Sequence, residues 1–348
     1  MRNVLLIYRG QVFDEEINPR LDQYKNDNVV LVIENESTRY IVGYITKDYE
    51  QKINIITIHE YIKKGVVDNM KFDVIIGNPP YQLQVGPGKT QTIWDSIVEK
   101  SLKLLCSGGT MTMIHPSNWR NISGNQKELQ KKIFSYDLKS IEIYDESQGL
   151  KTFGAETRYD IYTLEKTKVN KTNTKVKFQD GTETTLNVNG LEFLPNASYD
   201  LFQSLLAKPN EERAEVLYSR STYGSDKKNM SPEKVGEFKY PCSYTINSES
   251  EPKLWYSSVK KEFFGTPKLI WSNGRISSIG SYIDDKGELG LTQYSYAIVD
   301  EVKNLPLIKK AFDSKEFRTL MEDCAVAQNT INYKIISLFK KDFWKEFI

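Results

Sequence analysis

Phe72-Asp73-Val74-Ile75-Ile76-Gly77-Asn78-Pro79-Pro80-Tyr81 is an apolar run that passes directly into a double-proline turn. Phe72 to Ile76 is interrupted only by Asp73, and its length and β-branched content suit a short buried strand. Gly77 lets another backbone come close. The two prolines fix φ and remove two N–H donors, so the carbonyls of the turn meet less internal competition. The side-chain oxygen of Asn78 and the carbonyl of Pro79 are then two hydrogen-bond acceptors, and Tyr81 adds a flat ring. That set suits an aromatic amino group whose lone pair is delocalised into its ring. Accepting both amino hydrogens localises the pair on nitrogen without a strong base. On these four residues alone a plainer reading stays open, in which Pro-Pro ends a strand and turns the chain.

Strand and helix signals alternate on both sides of this turn. Asn3 to Tyr8, Val29 to Glu34 and Ile53 to Ile58 read as strands, and Phe13 to Asn26 as a charged segment with helical character apart from Pro19. Tyr40 to Thr46 reads as either a strand or a poor helix. Thr92 to Leu105 carries apolar residues at Ile93, Ile97, Leu102 and Leu105 and predicts a helix stopped by Ser107-Gly108-Gly109, with a strand over Thr110 to Ile114. Repeated β-α-β units imply an α/β, doubly wound, mostly parallel sheet whose ligands sit at the carboxyl ends of the strands. Ile141 to Tyr144 and Arg158 to Glu165 predict an antiparallel pair closing that sheet. The Lys/Thr/Asn-rich stretch 166–185 reads as a surface hairpin or linker, which divides the chain into domains at 1–170 and 186–348. The second has an α+β pattern, with a helix over Tyr199 to Ala207, strands over Lys268 to Trp271, Ser281 to Asp284 and Tyr296 to Val299, and helices over Leu305 to Phe312 and Phe317 to Cys324.

At 348 residues with 39% hydrophobic content, the chain has room for two domains with cores of their own. Lys and Arg total 47 against 46 Asp and Glu, which argues against holding nucleic acid by bulk charge and leaves room for a local basic cleft. Cys106, Cys242 and Cys324 are widely spaced and odd in number, so neither a disulfide framework nor a zinc site is expected. No run approaches the ~18 apolar residues of a membrane span, and the N-terminus lacks a leader pattern, so the expectation is a cytoplasmic protein with no membrane and no metal. No Ser-His-Asp set, Cys-x-x-Cys pair or phosphate-binding Gly-x-x-x-x-Gly-Lys loop stands out.

With Asn78-Pro79-Pro80-Tyr81 at the end of the fourth strand of the catalytic domain, the chain resembles the S-adenosylmethionine-dependent adenine-N6 DNA methyltransferases. The resemblance extends to His115-Pro116-Ser117-Asn118-Trp119 after a Gly-Gly turn and apolar strand, and to Phe153-Gly154-Ala155-Glu156-Thr157. It also takes in Gly265-Thr266-Pro267-Lys268-Leu269-Ile270, Gly290-Leu291-Thr292-Gln293 and the Lys340-Lys341-Asp342-Phe343-Trp344 ending, which are similar to target-recognition regions of restriction-modification and viral enzymes. The resemblance implies a class I methyltransferase-like catalytic domain joined to a C-terminal target-recognition domain. It implies methyl transfer to a flipped adenine held by Asn78, Pro79, Pro80 and Tyr81, with Tyr81 and Phe153 stacking on its two faces. A core role is the alternative for Phe153. Related enzymes use the same tetrapeptide on protein glutamine or on guanine in RNA, so those substrates stay open.

The cofactor half departs from the family pattern. Where a glycine-rich loop belongs, only Arg9-Gly10-Gln11 follows the first strand. Gly10 and Glu34 lie 24 residues apart, close to the roughly 20-residue interval at which an acid reaches a nucleotide ribose in β-α-β units. The resemblance therefore implies Gly10, Glu34, Glu60 and Asn78 as residues holding S-adenosylmethionine, with Glu60 on its adenine. An alternative register sets Gly43-Tyr44-Ile45 at the second strand, and a solvated acid is the alternative for Glu34. The reduced glycine loop motivates a second function: a methyltransferase-like DNA-binding or specificity subunit with lost or weak cofactor binding. Partners on either reading are double-stranded DNA and a restriction or methyltransferase subunit. Lys89, Arg120, Arg220, Lys227, Lys228 and Arg275 lie in segments of plausible reach for DNA contact, each with ordinary solvation as its alternative. His59 and His115 read as structural, since no base is needed before transfer.

Overall fold

The computed structural model describes residues 2–8, 19, 21–33, 53–64, 70–124, 126–167, 173–220, 224–274, 280–327 and 333–348. The chain divides into two compact units, Met1–Glu192 and Phe193–Ile348.

The first unit is built on a sheet of nine described strands. β1 (Asn3–Ile7), β2 (Asn28–Ile33), β3 (Ile53–Thr57), β4 (Phe72–Gly77) and β7 (Leu105–Pro116) run parallel in the order β3-β2-β1-β4-β7. β1 and β2 are apolar after their first residue and almost wholly buried, as strands covered on both faces must be. Asp73, the one charge in β4, lies at the sheet's amino end, where its carboxylate accepts from the Asn3 N–H at 2.8 Å. β9 (Tyr159–Glu165) runs antiparallel between β7 and β8 (Asp137–Tyr144). This is the doubly wound, mostly parallel sheet with a reversed strand expected of a class I methyltransferase.

Three elements differ from or add to the sequence expectations in detail. The helix α2 (Trp94–Leu104) ends before the glycines, and residues 106–109 loop out as a bulge within β7 where its pairing with β4 shifts. Of the two alternatives for 166–185, a surface hairpin or a linker, the structure has the hairpin: β10 (Thr174–Lys177) and β11 (Glu183–Leu186) pair antiparallel and extend the sheet beyond β8. The compact division accordingly falls after Glu192, so 186–192 go with the first unit. A third element had no counterpart in the sequence reading. β5 (Gln82–Gly86) and β6 (Lys89–Thr92) form a separate two-stranded ribbon immediately after the double-proline turn. Of the helical expectation over 13–26, residues 19 and 21–26 are described, with 19 and 21–23 helical and 24–26 a turn; the rest of it, and the alternatives over 40–46, lie outside the described residues.

Helices α1 (Ile58–Lys64), α3 (Lys127–Ser135) and α4 (Glu146–Phe153) also belong to this unit. In α3, Leu129, Ile133 and Phe134 are buried and Lys127, Lys131 and Lys132 lie on the other side, the pattern of an amphipathic helix.

Among its described residues, the second unit holds two four-stranded sheets. β12 (Glu215–Tyr218), β16 (Lys268–Ser272), β17 (Ser281–Asp284) and β19 (Ser295–Val299) form an antiparallel sheet in the order β12-β19-β16-β17. β13 (Met230–Ser231), β14 (Tyr240–Ile246), β15 (Pro252–Ser257) and β18 (Gly290–Leu291) form the other, in the order β13-β15-β14-β18. Ile246, Ile270, Leu289, Leu291 and Ala297 make a core cluster in this unit. Helices α5 (Tyr199–Leu205), α6 (Leu305–Asp313) and α7 (Lys315–Asp323) follow their predicted spans closely. The Lys340–Trp344 ending is structural: Phe343 is buried against Phe317 and Phe339, and the Lys340 N–H donates to Leu205 O. Among the described residues, no helix is long and apolar enough to cross a membrane and no group of three or more His, Cys, Asp or Glu could hold a metal.

Candidate active site

The double-proline turn leaves the carboxyl end of β4, between β1 and β7. The Asn78 N–H donates to Ile7 O at 2.9 Å, fastening the turn to the end of β1. Gly77 keeps this place open, because a Cβ would sit 2.7 Å from Met113 Sδ and 3.2 Å from Ile7 Cβ and the thioether would have to shift. Pro79 and Pro80 are buried and Asn78 is half-buried. The Asn78 Oδ1 atom is closed off from solvent and has no hydrogen-bond partner among the described residues. An acceptor left in this way costs about 1–3 kcal/mol, and such an atom calls for an explanation outside the fold's own hydrogen bonding. Asn118, just past the end of the neighbouring β7, carries a second amide oxygen in the same condition. Its sequence context had suggested only supporting structure.

Beneath the turn lies a buried polar and aromatic layer. His115 stacks on Trp94 with ring centroids 4.5 Å apart, and its Nε2 lies 3.1 Å from the Tyr162 hydroxyl. Burial holds the imidazole down to about 4, so it is neutral at neutral pH and serves as packing, as the sequence reading had it. Asp160 accepts from Ser117 Oγ at 2.8 Å, Trp119 Nε1 at 2.6 Å and Arg120 Nε at 2.8 Å. Arg120 is therefore not an exposed DNA contact. Its side chain is fully buried in an ion pair with Asp160, which removes it from any surface.

The two aromatic residues expected to clamp a base do meet. Tyr81 and Phe153 rings are 6.0 Å apart and inclined at 73°. A base held between two ring faces needs them parallel and about 7 Å apart, twice an ordinary ~3.5 Å contact. In this arrangement the edge of one ring fills the space before the other. Tyr81 is only 8% exposed. Phe153 also packs edge-on against Tyr159 at 4.9 Å, which ties it to the sheet.

Glu60 is engaged elsewhere. Its Oε2 accepts from the Thr57 N–H at 2.8 Å and from Thr57 Oγ1 at 3.0 Å, while Thr57 Oγ1 accepts from the Glu60 N–H at 3.3 Å. This is a capping box at the start of α1. Thr57-x-x-Glu60 carried that signal in the sequence, where Glu60 was read as a cofactor acid. Gly10, Glu34 and Arg275 lie outside the described residues. Lys89, Arg220, Lys227 and Lys228 are exposed.

Comparison with known proteins bears on the first unit. Residues 6–153 match the Eco57I restriction-modification methylase family. The matched segment starts within β1 and ends at Phe153, taking in the turn and Trp94, His115 and Trp119 of the aromatic layer, while Asp160 and Tyr162 lie beyond it. A Mycoplasma pneumoniae protein described as an uncharacterized adenine-specific methylase is 30% identical over 156 residues, 42% of this chain and 34% of that protein. The chain thus spans about a third of this relative's length. Among solved structures, the EcoKI M protein of a type I restriction enzyme is 12% identical, with 64% of this chain and 55% of that chain covered and a TM-score of 0.38. A methyltransferase from Pyrococcus furiosus is 19% identical, with 48% and 75% covered and a TM-score of 0.33. The fold assignment rests on the strand order itself.

Proposed function

We propose that this chain is an S-adenosylmethionine-dependent DNA methyltransferase that acts on the exocyclic amino group of an adenine turned out of the duplex. The observation that carries the reading is the Asn78 amide oxygen, held at the carboxyl end of the central strand without a partner among the described residues. The family match over 6–153 and the adenine-specific description of the Mycoplasma relative support it.

Asn78 Oδ1 and the Pro79 carbonyl accept the two amino hydrogens, which draws the lone pair onto nitrogen and out of the ring. Tyr81 supplies the adjoining aromatic surface, and Phe153 stands edge-on to it. Burial of both prolines keeps the acceptors in place. No general base is required before transfer, and the neutral, buried His115 is not placed to act as one. The surplus proton leaves the nitrogen afterwards, to solvent or by way of Asn78.

The cofactor side fits in its placement. β2, β1 and β4 end side by side, with Ile7 paired to Gly77 and to Val32, so one ligand at the carboxyl edge reaches all three strand ends. Gly10, Glu34 and Asn78 are the residues proposed to hold S-adenosylmethionine, which when bound supplies an electrophilic methyl group on sulfur. Glu60 is engaged by Thr57 in its capping box and is left out of this set. That engagement favours keeping a second reading, a DNA-binding or specificity subunit with weak or lost cofactor binding. Double-stranded DNA is the proposed partner, with the exposed Lys89 and Arg220 as phosphate contacts. A restriction or second methyltransferase subunit is the proposed protein partner.

The test uses purified full chain, unmodified DNA and cofactor carrying a labelled methyl group. Label is expected in adenine for the parent protein, with Asn78→Ala losing incorporation while retaining DNA binding. Incorporation surviving Asn78→Ala would overturn the role of the amide. Calorimetric titration with S-adenosylmethionine separates the two readings, since saturable binding removes the cofactor-free one.

A further inference from the structure

Among the described residues, the ribbon β5–β6 has no partner strand and almost no core. It pairs with no other described strand. Gln82, Gln84, Val85, Lys89, Thr90, Gln91 and Thr92 are exposed, and only Leu83 and Gly86 are half-buried. A lone two-stranded hairpin is marginal in water, so one projecting from a folded unit without an apolar face gains from a partner. Its register sets Gln82 opposite Thr92 and Gln84 opposite Thr90. Alternation then places those four side chains on one face, a patch of amides and hydroxyls carrying no charge. The face bearing Leu83 and Gln91 is the opposite one.

Resting on the methyltransferase reading above, we infer that this ribbon enters the major groove of duplex DNA beside the target base and that Gln82, Gln84, Thr90 and Thr92 contact base edges there. Three observations commit it to that occupant. The ribbon is continuous with the double-proline turn, and the Ile93 N–H closes its base by donating to Tyr81 O at 3.2 Å. Residues 74–94 contain no Asp or Glu in a chain that has 46, so nothing on this stretch repels phosphate. Lys89 stands exposed at the start of the returning strand, beside a tip formed by Gly86-Pro87-Gly88. A two-stranded ribbon fits a B-form major groove about 12 Å wide, where Gln pairs with the adenine edge and Thr with any base. The deep, narrow major groove of A-form RNA does not admit it.

The experiment compares the parent full chain with Gln84→Ala/Thr90→Ala and with Lys89→Ala, measuring filter binding to sheared unmethylated DNA across a salt series. Circular dichroism checks the fold. The double variant is expected to bind about tenfold or more weakly, within the range of a lost base-edge pair. Lys89→Ala is expected to lower the slope of log affinity against log salt by about one. Parent-like affinity and slope in both variants, with methylation intact, would overturn the ribbon's role and leave the enzyme reading standing. A parent that binds S-adenosylmethionine but no DNA would overturn the choice of DNA as acceptor and the ribbon's role with it. Equal loss on an RNA duplex would refute the major-groove placement.

Discussion

Arg120 Nε donates to Asp160 Oδ2 at 2.8 Å, and both side chains are fully buried. The pair joins the short 3-10 turn Ser117–Arg120 to β9, and Ser117 and Trp119 of the same turn donate to the same carboxylate. One carboxylate thus holds three of the turn's four side chains. Asp160→Ala leaves a buried guanidinium uncompensated and is expected to cost about 3–5 kcal/mol. Replacing both partners by apolar residues, as in Arg120→Met with Asp160→Leu, is expected to cost far less. Urea unfolding of the three proteins checks this, and equal losses in the single and double variants would contradict it.

Gly77 occupies a tight place between Ile7 and Met113. Gly77→Ala forces the Met113 thioether aside and is expected to destabilise by about 1–3 kcal/mol, as small-to-large changes in packed cores do. Because the nearest clash is with a side-chain end, trimming that side chain makes room. The double-mutant cycle of Gly77→Ala with Met113→Ala should therefore show a favourable coupling energy, where independent sites would simply add. Unfolding midpoints of the four proteins give the coupling directly.

The strands nearest the site were the most legible part of the chain. β1, β2 and β4 are nearly unbroken apolar runs, and burial on both faces leaves little else for such runs to be. The ribbon over 82–92 was missed because Gln, Thr and Lys give no apolar alternation, although Val-Gly-Pro-Gly-Lys was a turn signal. The polar stretch holding β10 read as a surface hairpin or a linker; what its pattern did not show is that the hairpin joins the sheet, because a short strand near the sheet's margin buries only Thr174 and Val176 fully. The Arg120–Asp160 pair joins residues 40 apart in sequence, a relation no local pattern reveals. Glu60 shows the opposite case, where a local capping signal was passed over for a ligand role.

His115 sets a pH dependence. Its folded value is held down to about 4 from an ordinary 6.5 by burial. Between those values the unfolded chain binds a proton that the folded one does not, so stability rises with pH through that window. The contribution is fully present above about pH 6.5 and is lost as pH falls toward 4, by up to about 3 kcal/mol in all. Urea midpoints at pH 7.5, 5.5 and 4.5 should fall in that order, and His115→Gln should flatten the dependence. An unchanged slope in that variant would assign the effect to other groups.

The edge-on meeting of Tyr81 and Phe153 predicts unequal contributions to substrate binding. On the proposed function Tyr81, close in sequence to the two acceptors, is the ring that would lie along the base, whereas Phe153 is inclined to it at 73° and braced by Tyr159. Loss of a stacked ring is worth about 1–3 kcal/mol per base. Tyr81→Ala is therefore expected to raise KM for DNA by roughly ten- to a hundredfold, with Tyr81→Phe retaining most of the affinity because the ring face remains. Phe153→Ala should raise KM only a few-fold and should lower stability, as truncation of a packed aromatic does. Steady-state methylation assays and unfolding curves on the same three variants separate stacking from support. Equal rises in KM for Tyr81→Ala and Phe153→Ala would instead indicate that the Phe153 ring rotates in the complex and sandwiches the base.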